Sequence, residues 1–251
     1  MSTPDGAGAE PRRPPWGGRV LARSVLLLLA GLVLAGLATA QSGLGAAAAP
    51  AGLLLLWLCF AAAIAWAVAK EARGDLAGSL GLRRWRMAPL PALALALLIG
   101  LVLRALSMLL EAAVLGPAAA QHPPAFGPGP WLWLTGFAGP IVLAPTLEEA
   151  FFRGVVQTSV QGVLGGRVWP SARAGRIGSV IVTAILFAAA HAVSATEAGG
   201  LLVTGISTLL VGLGCGALAV RTGSIVPPIV AHAIFNASAV VYAVATTGLP
   251  G

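Results

Sequence analysis

The sequence contains unusually few charged residues. Only 9% of its 251 residues are Asp, Glu, Lys or Arg, whereas a soluble globular domain has about 25%. Hydrophobic residues make up 58% of the chain. So little charge in so apolar a chain is typical of helices surrounded by lipid. We therefore predict an integral membrane protein with no separate soluble domain.

Cysteine is also scarce. Cys59 and Cys215 are the two cysteines, and each lies in an apolar run without a CxxC spacing. This pattern excludes both a disulfide framework and a cysteine-based zinc knuckle. We predict that both are small core residues.

Acidic residues are the rarer charges, which leaves a net charge of +7. The basic residues lie mostly in short segments between apolar runs and do not form one continuous face. Nucleic-acid binding requires such a face, whereas membrane topology requires basic loops. We therefore predict that the basic residues lie at the surface of the lipid bilayer and that the protein does not bind nucleic acid.

Long apolar runs dominate what is present, and they predict an all-α fold. A transmembrane helix needs about 20 apolar residues. Seven runs approach or exceed that length: 20–40, 53–69, 88–115, 131–162, 178–193, 199–220 and 225–245. Pro140 and Pro145 are expected to kink or split the fourth run, since proline removes a backbone donor. The prediction is a polytopic transmembrane helical bundle of about seven or eight helices.

The runs divide the chain into three predicted parts. Residues 1–19 are rich in Pro and Gly and are predicted to be a disordered cytoplasmic tail. Residues 20–116 would form N-terminal transmembrane helices, and residues 131–247 a core of transmembrane helices. In the sixth run, the Gly212-xxx-Gly216 spacing predicts a close helix contact.

Loop charge predicts the orientation of the chain. Lys and Arg occur in the tail, in 70–86, in 167–176 and at Arg221, and are absent from 41–52, 117–130 and 194–198. The two sets alternate, so the positive-inside rule places the N-terminus in the cytoplasm and the C-terminus outside. The Ala-, Gly- and Arg-rich composition indicates a bacterium with GC-rich DNA. We expect a multi-pass protein of the bacterial inner (cytoplasmic) membrane.

Three ionisable residues interrupt the fourth run: Glu148, Glu149 and Arg153. Charges are costly in hydrocarbon, and they usually face the bundle interior and mark a working site. Glu149 and Arg153 are four residues apart, so they share a helix face and are predicted to form an ion pair. Glu148 lies about 100° around the helix and is free to face a neighbouring helix.

Two of the three histidines lie in later apolar runs. Phe187 and His191 share one helix face, as do His232 and Asn236. A carboxylate with a histidine can activate a water molecule, and a second histidine with an asparagine can donate to an oxyanion. Because no serine or cysteine nucleophile motif accompanies them, hydrolysis of an amide by activated water is the predicted chemistry.

Arg104 and Glu111 add a second charged pair in the third run. Their seven-residue spacing places them on one face, but a rise of about 10 Å separates them. We therefore expect no direct contact. We interpret them as bundle-facing or interfacial residues, with lining of a substrate cavity as the less favoured alternative.

These motifs, in this order and in apolar surroundings, resemble the CPBP family of intramembrane proteases. That family includes the type II CAAX prenyl endopeptidases and the bacterial abortive-infection (Abi) proteins. The resemblance covers about residues 131–245 and is carried by three motifs: Glu148-Glu149-xxx-Arg153, Phe187-xxx-His191 and His232-xxx-Asn236.

The resemblance implies a role for each matched residue. Glu148 and His191 would activate the attacking water, and His232 and Asn236 would form the oxyanion hole. A metal-free mechanism without a cofactor is favoured, and zinc bound by Glu148, His191 and His232 is the alternative. The substrate would be a membrane-anchored protein or peptide, and the oligomeric state stays open. The implied supporting residues are Glu149, Arg153 and Phe187.

Two functions of another class use the same polar cluster. A non-catalytic immunity or scaffold protein would retain it for binding, and a small-solute carrier would use it as a transport pathway. A carrier usually has an inverted repeat with paired broken helices, and no such repeat is evident in the sequence.

Overall fold

The structure is a computed structural model, and it describes residues 16–71, 75–83, 85–116, 131–164, 168, 170–193 and 197–247. Within these ranges there is no strand, and a 3₁₀ turn, Ser42–Ala47, joins the first two helices. The predicted all-helical bundle is confirmed. Its eight helices are α1 (Gly18–Thr39), α2 (Ala48–Glu71), α3 (Leu76–Ser79), α4 (Pro89–Leu115), α5 (132–164), α6 (Ala172–Ala192), α7 (Ala198–Thr222) and α8 (Val226–Thr247).

Six of these helices are long and apolar enough to cross a membrane: α1, α2 with its preceding turn, α4, α6, α7 and α8. The fourth predicted run, which becomes α5, is not among them. Its hydrogen-bond pattern changes along its length, and no stretch of one kind is longer than Leu132–Leu143. The other six predicted runs each correspond to one of the spans.

Helix α5 is continuous, and its backbone alternates between wide and normal turns. Leu132–Leu143 and Ala150–Gln157 are π-helical, whereas Ala144–Glu149 and Thr158–Leu164 are α-helical. The expected kink or split at the prolines is therefore replaced by a change of hydrogen-bond register. Pro145 lies in the first turn of an α-helical stretch, a position where the fixed φ of proline suits a helix.

Helix α5 is also the centre of the bundle. It contacts α1, α2, α6, α7 and α8, and every residue of Ala150–Gln157 is buried. Phe60 of α2 stacks on Phe151 with ring centroids 4.6 Å apart. Phe152 meets both of these rings edge-on. The fold thus buries residues 148–160 of α5 on all sides.

Contacts sort the helix ends into two groups. At one end, Val163 of α5 lies against Gly18 of α1, and the Arg86 N–H donates to the Thr222 carbonyl (2.7 Å). At the other end, the start of α2 lies against the end of α1, and Leu115 of α4 lies against Gly199 of α7. These groups coincide with the loop sets that the sequence separates by charge.

The predicted tail is only partly within the described residues. Residues 1–15 lie outside them, but Trp16 is 1% exposed and α1 begins at Gly18. The Trp16 indole N–H donates to the Gly154 carbonyl of α5 (2.9 Å). The last residues assigned to the tail are therefore part of the bundle.

Arg104 and Glu111 form a direct ion pair, so the expectation of no contact is wrong. Arg104 Nη1 lies 3.0 Å from Glu111 Oε1, and Nη2 lies 3.4 Å from Oε2. The backbone rise overstated the gap because both long side chains extend along the helix axis toward each other. Ser107, between them, bonds Glu111 and Ser207 of α7, so the pair faces the bundle.

The close contact predicted from Gly212-xxx-Gly216 is confirmed between α7 and α6. A Cβ at Gly212 would lie 2.9 Å from Ala184 Cα, and one at Gly216 would lie 3.0 Å from a methyl group of Val180. Without side chains at these positions the two backbones approach closely, as in other membrane helix pairs.

We expect Gly212→Ala to lower the free energy of unfolding by about 1–3 kcal/mol, since the added methyl group meets backbone that must shift. The control is Gly205→Ala on the same helix, because a Cβ there meets nothing within 4 Å. Thermal unfolding in detergent measures both variants. Equal stability of the two would contradict the assigned α6–α7 contact.

Candidate active site

The three polar motifs meet in the interior of the bundle. Glu148 lies in the middle of α5, His191 near the end of α6 and His232 on α8. Glu148 Oε2 is 3.8 Å from His191 Nε2 and 3.9 Å from His232 Nε2. Glu148 and His232 are buried, and the His191 side chain is 33% exposed. The fold brings together side chains from helices far apart in sequence.

All four predicted catalytic residues line one cavity of about 370 Å³. This volume is in the range of small-molecule and peptide-binding pockets. Walls from α2, α5, α6, α7 and α8 enclose it. The lining residues are Leu53, Trp57, Thr135, Gly136, Pro140, Ala144, Glu148, Phe187, His191, Thr208, Val211, His232, Phe235, Asn236, Ala239 and Val240. Most of these are apolar, so polar groups are concentrated around Glu148.

Glu149 forms the predicted ion pair and one further contact. Its Oε2 lies 3.0 Å from Arg153 Nε, and both side chains are fully buried. Its Oε1 accepts a hydrogen bond from His232 Nδ1 (3.0 Å). Sequence reasoning missed the second contact because no spacing rule relates residues 83 positions apart. Glu149 therefore links the two helices that carry Glu148 and His232.

Arg153 extends this link to two more helices. Its Nη2 donates to the Gly212 carbonyl of α7 (3.1 Å), and its guanidinium lies 4.9 Å above the Phe187 ring of α6. The same ring contacts His191 and His232, with centroids 4.4 and 5.8 Å apart. Phe187 thus contacts the guanidinium and both imidazoles.

The hydrogen-bond partners assign the protons on the imidazoles. His191 Nδ1 donates to the Phe187 carbonyl (2.9 Å), and His232 Nδ1 donates to Glu149. In each neutral ring, Nε2 then carries a lone pair, and both Nε2 atoms face Glu148. Glu148 Oε2 is buried and has no hydrogen-bond partner. A water molecule between these groups could donate one hydrogen to Glu148 Oε2 and the other to one of the two Nε2 atoms.

Comparison with known families agrees with this geometry. The family model described as type II CAAX prenyl endopeptidase Rce1-like matches residues 130–238. Those residues are an Rce1-like domain. The family predicted from the three motifs is thereby confirmed for this domain, and six long apolar helices make the chain a multi-pass membrane protein. No match was found among curated proteins or among solved structures.

The N-terminal half of the chain completes the cavity of the Rce1-like domain. Leu53 and Trp57 line the cavity from α2, which precedes the matched residues. No sequence signal marks them, because an apolar residue in a helix is interpreted as core or as lipid-facing. Thr208 of α7 was missed because a lone threonine in an apolar run forms no motif. Arg104 and Glu111, the less favoured candidates, do not line this cavity.

Three side chains of the Rce1-like domain were the alternative zinc ligands. Ligand atoms around a tetrahedral zinc, each about 2.0–2.2 Å from the metal, lie about 3.4 Å apart. Glu148 Oε2 lies farther than that from both imidazoles. Among the described residues, no group of three His, Cys, Asp or Glu side chains is arranged to hold a metal ion. The side chains as placed therefore do not fit a zinc site.

Asn236 makes a contact that the sequence did not predict. Its Nδ2 donates to the Pro140 carbonyl of α5 (2.7 Å). In this π-helical stretch the Ala144 N–H bonds the Gly139 carbonyl, five residues back. The next donor in that register would be residue 145, which is proline and has no N–H. The Asn236 amide supplies the missing donor, and one of its two N–H groups stays available to the cavity.

We expect Glu149→Gln to lower the free energy of unfolding by about 3–5 kcal/mol, because it leaves the Arg153 guanidinium buried without a counter-ion. The matched control is Glu111→Gln, which also removes a carboxylate from an arginine but at a partly exposed site. Its cost should be about 1 kcal/mol or less. Denaturant unfolding in detergent compares the two, and equal costs would disprove the structural role of the Glu149 pair.

We also expect Pro145→Ala and Asn236→Ala to be non-additive. Alone, Asn236→Ala leaves the Pro140 carbonyl without a hydrogen-bond donor and should lower the free energy of unfolding by about 1–3 kcal/mol. In the Pro145→Ala background, the restored N–H can bond that carbonyl, so the same change should cost less. The coupling free energy from a double-mutant cycle measures this. A coupling of zero would mean that Pro145 does not create the acceptor for Asn236.

Proposed function

We propose that this protein is an intramembrane endopeptidase that hydrolyses a peptide bond of a membrane-associated or tail-anchored protein. The observation that carries the proposal is the convergence of Glu148 Oε2 with the Nε2 atoms of His191 and His232 at the wall of a cavity. A carboxylate and the Nε2 lone pair of His191 can accept a proton from water, and the Rce1-like domain belongs to a family of peptidases.

In the proposed mechanism, Glu148 and His191 hold and deprotonate the attacking water. The hydroxide adds to the carbonyl carbon of the scissile bond, and the proton passes through Glu148 to the leaving amine. No covalent enzyme intermediate forms, because the nucleophile is water. The tetrahedral intermediate then collapses to a carboxylic acid and a free amine.

His232 and Asn236 are proposed to stabilise the oxyanion. Asn236 donates through the N–H that Pro140 does not use. His232 can donate through Nε2 only when its ring carries both protons, and Glu149 stabilises that imidazolium through Nδ1. Fixed donors of this kind contribute most where water is excluded.

The proposed substrate is a protein or peptide anchored in the bilayer. The apolar walls formed by Leu53, Trp57, Phe235 and Val240 suit an extended stretch of apolar side chains. The proposed location is the bacterial inner membrane with the N-terminus in the cytoplasm, in agreement with the positive-inside rule for basic loops. A metal-free mechanism is proposed because the three polar side chains are not spaced as zinc ligands.

Cleavage of a membrane-tethered reporter tests the proposal. We expect Glu148→Ala to lower the cleavage rate by about 10²–10⁴-fold, since it removes the general base. Glu197→Ala, at an exposed position away from the cavity, should cleave at the wild-type rate. Equal cleavage by Glu148→Ala and wild type would disprove the peptidase mechanism and favour a scaffold or carrier function. A chelator added to the same assay should have no effect, and lost activity restored by zinc would establish the metal alternative.

A further inference from the structure

The position of the cavity along the bundle indicates the side of the membrane from which a substrate enters. We call the bundle end where α1 begins and α7 ends the basic end. Among the described residues, the charged side chains near it include Arg19, Lys70, Arg86, Arg176 and Arg221. At the opposite end, where α2 and α7 begin and α6 ends, the described loops and helix ends contain no Lys or Arg, and the nearest one is Arg104, which lies within α4 and pairs with Glu111.

Most of the cavity lies between the middle of the bundle and the opposite end, and His232, six residues after the start of α8, is its lining residue nearest the basic end. His191 is one residue from the end of α6, and Thr135 lies in the first turn of α5. Leu53 lies near the start of α2. All three line the cavity and lie close to the end without Lys or Arg. His191, the catalytic candidate nearest that end, also has a one-third exposed side chain.

Toward the basic end, the bundle is closed by large side chains. Immediately after Glu149, Phe151 and Phe152 of α5 are 0% and 1% exposed. Beyond them, Trp16 and Leu80 cover the Gly154 turn and are 1% and 3% exposed. None of these four residues lines the cavity. Access to Glu148 from the basic end would require this layer of side chains to separate.

By the positive-inside rule, we expect the basic end to be cytoplasmic. We infer that the substrate reaches the site from the extracytoplasmic side. The substrate class is then a membrane protein with its cleavage site at the extracytoplasmic edge of an apolar segment. A tail on the cytoplasmic side, lipid-modified or not, would meet the closed end. This inference rests on the proposed peptidase function for its substrate, but the direction of access can be tested without activity.

Cysteine labelling with a membrane-impermeant, charged thiol reagent tests the direction of access, in a chain whose Cys59 and Cys215 are replaced by alanine. Gln41→Cys at the opposite end and Arg221→Cys at the basic end report the orientation. We expect Gln41→Cys and His191→Cys to react only when the reagent is added outside intact spheroplasts. Arg221→Cys should react only in inverted vesicles. Labelling of His191→Cys from the cytoplasmic side alone would overturn the inference, as would exchanged labelling of the two orientation reporters.

Two matched reporters separate this inference from the proposed function. Both carry the same transmembrane segment and the same cleavable stretch, placed at its extracytoplasmic edge in one and at its cytoplasmic edge in the other. We expect the wild type to cleave only the reporter with the extracytoplasmic site, and we expect Glu148→Ala to cleave neither reporter. Glu148-dependent cleavage of the second alone would overturn the direction of access and leave the peptidase function standing. Cleavage of neither would contradict the peptidase function, and the labelling result would still decide the direction.

Discussion

The buried contact between Glu149 and Arg153 is the interaction on which the rest of the site depends. Both side chains are withdrawn completely from solvent, so each charge needs the other and further partners. The partners come from three other helices: His232 on α8, the Gly212 carbonyl on α7 and the Phe187 ring on α6. The pair therefore fixes where three helices stand around α5. Glu148, the neighbouring residue, is placed as a consequence.

The glycines of α7 and the wide turns of α5 serve the same arrangement. At Gly212, α6 approaches closely and the Gly212 carbonyl accepts a hydrogen bond from Arg153. At Gly216, α6 also approaches closely and the Gly216 carbonyl accepts a hydrogen bond from Gln157 (3.4 Å). Cys215, between them, is fully buried beside Glu149. The small residues of α7 thus leave space for the long polar side chains of Arg153 and Gln157 on α5. Close approach and polar bonding are coupled in this bundle.

Local periodicity predicted much of the fold and of the site. Spacings of four residues correctly predicted the Glu149–Arg153 pair and the contact at Gly212, because such spacings act within one helix face. They carry no information about Glu149 with His232 or Asn236 with Pro140, which join different helices. Helix α6 begins six residues before the predicted run. Its first turns contain Arg173 and Arg176, so they are not part of an apolar run, and Ser171 caps them. The Arg104–Glu111 prediction failed because it considered the backbone and neglected side-chain reach.

The cavity has two walls of different origin. Glu148 and the histidines come from the Rce1-like domain, whereas Leu53 and Trp57 come from a helix that the family model does not cover. A chain that joined the same domain to another first half would keep its acid, base and donors but would have a different wall opposite them. In the proposed mechanism, reactivity and selectivity would therefore be encoded in separate parts of the gene. Transfer of the preceding helices between relatives would exchange preference for a target without rebuilding the chemistry.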